Sequence, residues 1–63
     1  SMKIEYSDDS YIELTYDSVT DKIKLTMASK DYAENVLLIS TVELTPAEYK
    51  LLVKDPSMLF LLQ

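Results

Sequence analysis

The sequence has no cysteine, histidine, glycine, arginine or tryptophan among its 63 residues. Each absence removes a chemistry. Without Cys and His there is no disulfide to staple the chain and no zinc site of the thiolate or imidazole kind. The commonest nucleophile–base pair goes with them, as does the one side chain that titrates near neutrality. Without Gly there is no glycine-rich loop to cradle a phosphate. Without Arg the fork-shaped group that usually dominates phosphate recognition is missing. Six lysines stand against eleven Asp and Glu, giving a net charge of −5. That balance makes nucleic acid and anionic membrane surfaces poor partners and favours a basic surface on another protein. No apolar run approaches the roughly 20 residues of a membrane span. No signal peptide is read, and the cysteine-free composition fits the cytoplasm. Ser1 ahead of Met2 reads as a tag scar, which puts the natural start at Met2.

What remains is a folding composition, 48% hydrophobic and 27% charged, rather than a disordered one. A chain this short buries only about 60% of its unfolded surface, so residues 1–63 are expected to form a single small domain. Met2, Ile4 and Tyr6 alternate with Lys3, Glu5 and Ser7, which is the period of a strand. Asp8-Asp9-Ser10 signals a turn. Ile12, Leu14 and Tyr16 then alternate with Tyr11, Glu13 and Thr15. After a break over residues 17–21, Ile23, Leu25 and Met27 alternate with Lys22, Lys24 and Thr26. Residues 29–35 read as a longer polar connection, and residues 36–44 as a fourth strand. Val36 to Ile39 are apolar on both faces, which suggests a central strand or an interface on its far side.

The helix signal is the sharpest local feature. Thr45-Pro46-Ala47-Glu48 joins an N-cap hydroxyl, a proline at the first helical position and a glutamate three residues after the cap. Tyr49, Leu52 and Val53 follow at helical spacing, and Asp55-Pro56 ends the helix. The predicted fold is therefore α+β: a four-stranded antiparallel β-meander, one α-helix packed on it, and a short apolar C-terminal segment. Met58, Leu59, Phe60, Leu61 and Leu62 crowd that last segment. Left in water they form a patch that monomers rarely tolerate, so the segment, read as a short strand, is expected either to pair along the sheet or to dock on another chain, with a homodimer interface the favoured reading.

Catalytic and metal constellations are weak throughout. Asp8 and Asp9 are adjacent and point apart, as in a solvated hairpin turn. Asp17 and Asp21 bracket a loop without the glycine-bearing calcium pattern. Ser29 and Lys30 are adjacent and alternate to opposite faces. The expectation is no enzyme activity, no metal and no cofactor. Lys22, Lys24, Tyr11 and Tyr16 sketch a sheet that stacks single-stranded bases, against the plainer reading of core tyrosines and solvating lysines. Glu5, Glu13, Glu43, Glu48 and Asp55 could imitate a phosphate track if spaced a few ångströms apart; an ordinary acidic solubility surface is the plainer reading.

Two resemblances arise around the fourth strand and the helix. The segment Ile39-Ser-Thr-Val-Glu-Leu-Thr-Pro-Ala-Glu-Tyr-Lys-Leu-Leu-Val-Lys-Asp-Pro56 is similar to the strand–Pro–Glu-helix unit of small phage uracil-DNA glycosylase inhibitors. Those are acidic proteins that occupy the enzyme's DNA groove. Glu48 resembles the acidic position early in that family's helix, and Tyr49 and Leu52 resemble its apolar pocket wall. Ser40-Thr41 stands where the best-known member of that family has a Glu-Ser pair, so the strand carboxylate is either missing or displaced to Glu43. The resemblance covers under a third of the chain. It implies a protein-binding inhibitor that mimics DNA, with Glu43, Glu48 and Asp55 against a basic groove and Tyr49 and Leu52 as apolar contacts. The second resemblance is topological. A four-stranded meander followed by a helix beginning Leu44-Thr-Pro-Ala-Glu-Tyr49 looks like the dimeric coactivator fold that binds single-stranded DNA, although that family's sheet is rich in Lys and Arg. The alternatives to the inhibitor reading are therefore a dimeric single-strand binder and a purely structural homodimer.

Overall fold

Alternation of apolar and polar side chains is written into all four strand segments, and a hairpin-connected sheet is what such segments form. In the computed structural model, which describes residues 1–55, they do so in chain order: β1 (Met2–Glu5), β2 (Tyr11–Asp17), β3 (Lys22–Asp31) and β4 (Val36–Leu44). Every neighbouring pair is antiparallel. One helix follows, α1 (Pro46–Lys54). This is the α+β meander expected from the periodicity. Among the described residues no helix is long and apolar enough to cross a membrane.

The register aligns the apolar residues on one side. Met2, Leu14, Leu25 and Val42 form one cross-strand row; Ile4, Ile12 and Met27 lead a second; Tyr16, Ile23 and Leu44 form a third. The opposite side carries Lys3, Glu13, Thr26 and Thr41 in one row and Thr15, Lys24 and Glu43 in another. Helix α1 lies on the apolar side. Tyr49, Leu52 and Val53 face Leu14, Leu25 and Leu44 across a cavity of about 250 Å³.

The helix start is built as its sequence promises. The Thr45 hydroxyl accepts from the Glu48 N–H at 3.1 Å, and the Glu48 carboxylate accepts from the Thr45 N–H at 2.8 Å. Those two bonds satisfy backbone donors that a helix N-terminus otherwise leaves open. At the other end Asp55 is extended, with φ −143°, as expected of a residue before proline.

Two expectations are corrected. The polar connection is shorter than residues 29–35. Ala28, Ser29, Lys30 and Asp31 continue β3 by pairing with Ile39, Leu38, Leu37 and Val36. The ladder offered by the strongly β-forming partner outweighs the polar character of these residues. The Asp31 carboxylate then accepts from the Ala33 and Glu34 N–H groups, which closes the turn. The second concerns β4: among the described residues it is an edge strand that pairs only with β3, which leaves the other expectation for it, an interface on its far side. Met58 to Leu62, placed at a dimer seam by the sequence reading, lie outside the described residues.

The missing glycines are compensated in the turns. Each hairpin needs one residue in the left-handed region, and Asp9 (φ 77°), Asp21 (φ 57°) and Asn35 (φ 56°) supply it. Asp and Asn reach that region at less cost than other residues because their side chains bond locally.

Two substitutions test these local devices. Thr45→Ala removes the cap and is expected to cost about 1 kcal/mol. Asn35→Ala forces an ordinary residue into the left-handed region and is expected to cost about 1–2 kcal/mol. Urea unfolding monitored by circular dichroism reads both, and unchanged midpoints would contradict the assigned roles.

Candidate functional site

Covering one side of the sheet is a question of length. Nine helical residues span about 14 Å at 1.5 Å each, whereas the ten residues of β3 run about 33 Å. The helix therefore covers only part of that side, over Leu14, Leu25 and Leu44. Beyond it no element among the described residues covers the apolar side. Met2 (59% exposed), Ile4, Met27 (50%), Leu38 and Val42 form its floor. Leu25, Met27, Ser40, Thr41 and Val42 line a shallow cavity of about 250 Å³ there. A larger one, about 380 Å³, opens between Met2, Leu14, Tyr16, Ile23 and Tyr49 beside the helix. Ala28 is the one buried hydrophobic side chain among the described residues, at 2%. It lies on the other side of the sheet, between Tyr11 and Ile39 in the register.

Charge is kept off the open floor. Of the strand residues on that side, Asp31 at the far end is the only charged one among those described. Carboxylates gather instead in the turns. The β1–β2 and β3–β4 turns lie at the same end of the sheet; they carry Asp8, Asp9 and Glu34, with Asp31 at the adjoining end of β3. A hydrogen bond from the Tyr32 hydroxyl to the Asp8 carboxylate ties the two turns together. The other Asp8 oxygen accepts from the Ser10 hydroxyl and N–H. Donation from Ser10, then from Tyr32, holds the Asp8 carboxyl down at about 2, because each bond favours the charged form. Accepting that bond, the carboxylate raises the Tyr32 phenol above its usual value.

The five residues expected to bind a partner are distributed over the sheet and the helix. Glu43 projects from the polar side of the sheet, in register with Lys24. Glu48 belongs to the helix cap; the bond from the Thr45 backbone, then that from its side chain, lowers its carboxyl below the usual range, with Lys22 adding to the effect. Tyr49 and Leu52 are half-buried and face the sheet. Asp55 is exposed at the helix C-terminus, where its N–H donates to the Leu51 carbonyl at 2.9 Å. The base-stacking set divides as well. Tyr11, Lys22 and Lys24 share the polar side, and Tyr16 stands on the other, donating to Asp21 at 2.7 Å. The Tyr11 ring is occupied by the Lys3 ammonium, 4.4 Å from its centroid.

Two features escape sequence reading. The Asp8–Tyr32 tie spans 24 residues, and no local pattern announces it. The open floor has a signal: four apolar strand faces against a helix of nine residues, a mismatch that a length estimate reveals. Comparison with protein-family models, with curated proteins and with solved structures finds no match.

Asp8 gives the acid behaviour a sign. Its folded-state pKa is depressed, so its contribution to stability is complete above the unfolded value near 3.8 and is lost as pH falls through about 2. Tyr32→Phe removes one of the bonds responsible. The variant is expected to lose less stability than the parent between pH 4 and pH 2, as read from urea midpoints across that window. Parallel losses in the two proteins would contradict the tie.

Proposed function

We propose that the chain is a non-enzymatic protein-binding module that meets a partner with an apolar prominence and a basic rim. The observation that carries this reading is the open apolar floor of the sheet, Met2, Ile4, Met27, Leu38 and Val42, bounded by acidic turns. Contiguous apolar surface of this kind marks interaction sites on small proteins, and carboxylates around it steer a basic partner toward it. Among the described residues a single ion pair forms, Lys3 with Glu5 at 3.1 Å. Most of the described carboxylates therefore take part in no ion pair there, which leaves a negative field around the sheet.

In its most specific form the module is an acidic inhibitor that stands in for DNA at the groove of a DNA-binding enzyme such as a uracil-DNA glycosylase. The resemblance around Glu43, Glu48, Tyr49, Leu52 and Asp55 supports that form. The inward-facing Tyr49 and Leu52 give the sheet floor, rather than the helix, the stronger claim to the apolar contact.

Affinity capture with the parent protein and with Met27→Asp tests the general reading. A basic protein retained by the parent, released by salt and missed by Met27→Asp is expected; equal capture by both would contradict it. Excess protein is expected to inhibit a uracil-DNA glycosylase, and undiminished activity would remove the specific form. Binding of a labelled oligonucleotide at low salt, read by fluorescence anisotropy, would instead support the single-strand-binding alternative.

A further inference from the structure

The two edges of the sheet are built to opposite rules. β1 is four residues long and carries Lys3 and Glu5, the short, charged form that resists pairing with another chain. β4 is nine residues long, contains neither Pro nor Gly, and bears no charge from Val36 to Val42. Its large side chains are exposed on both faces, Leu38 at 57% on one and Ile39 at 60% on the other. A strand that is apolar on both faces suits the interior of a sheet, yet among the described residues it stands at the edge, with no strand on its outer side.

We propose that β4 pairs antiparallel with β4 of a second copy of this chain, about a two-fold axis centred on Ser40, which joins two sheets into one of eight strands. That register is self-complementary, as a two-fold requires. On the floor side Leu38 lies opposite Val42 of the second copy, and Val36 opposite Leu44. On the other side Ile39 lies opposite Thr41, and Leu37 opposite Glu43. Like charges do not meet. The two Glu43 side chains end up six residues apart along the seam, roughly 20 Å, beyond the Debye length of about 8 Å at physiological salt. For a chain of charge −5 an uncharged stretch of this length is the place where a second copy approaches with least repulsion.

The pairing is independent of the basic partner argued above, because it uses the edge of the sheet and leaves most of the floor and the acidic turns accessible.

Sedimentation equilibrium at high micromolar concentration is expected to give twice the 7.2 kDa of one chain. A mixed sample of labelled and unlabelled protein is expected to show nuclear Overhauser contacts between Leu38 and Val42 of different copies. The double variant Ile39→Lys, Thr41→Lys sets like charges opposite one another across the seam and is expected to sediment as a monomer with unchanged far-ultraviolet circular dichroism. Should that variant unfold, the contacts in the parent decide. A monomeric parent would overturn the proposal, including one whose edge is shielded by its own C-terminal residues. So would a dimer that lacks the Leu38–Val42 contact or survives the double variant.

Discussion

A nine-residue helix cannot cover one side of a four-stranded sheet, and the other properties of this protein follow from that shortfall. Strand alternation drives Met2, Ile4, Ile12, Leu14, Leu25, Met27 and Val42 to one side. The helix faces Leu14, Leu25 and Leu44, while Met2, Ile4, Met27 and Val42 stay exposed. With Ala28 as its one buried hydrophobic side chain among the described residues, the chain has little interior of its own. Short chains without disulfides or metals commonly make up such a deficit by association. The exposed floor and the uncharged β4 edge are two places where this chain can do so.

Local structure compensates where it can. A capping box fixes the helix start, three acidic or amide residues replace the absent glycines in the turns, and Asp8 with Tyr32 ties two hairpin ends together. These devices define a single backbone conformation without much buried area. Each acts at the surface, where a hydrogen bond contributes only about 0.5–1.5 kcal/mol. They specify the shape of the sheet and leave its apolar side unsatisfied.

The strands and the helix were legible because their signals are periodic or motif-like. Ile12, Leu14 and Tyr16 alternate over a whole strand, and Thr45-Pro46 with Glu48 states a helix start in four residues. The end of β3 was not legible, because Ser29, Lys30 and Asp31 are strand only through pairing with Leu38, Leu37 and Val36, a non-local cause. β4 misled for an instructive reason. Its apolar character on both faces described the environment such a strand suits, while among the described residues chain order puts it at the edge. The candidate binding residues were chosen for charge and helical spacing. Neither property reveals that Glu48 is engaged in a cap or that Tyr49 turns inward, since both depend on where the helix sits.

Charge and apolar surface are thus segregated: carboxylates in the turns and on the polar side, uncharged residues along the floor and along β4 from Val36 to Val42. Such segregation favours recognition of other protein surfaces over binding of phosphate. The most direct measurement of whether this fold depends on another chain is the thermal unfolding midpoint across a wide range of protein concentration. If a second copy supplies the missing burial, the midpoint rises with concentration, as mass action demands for a folded state that associates. A midpoint independent of concentration would show that the single chain is stable alone and would contradict that dependence.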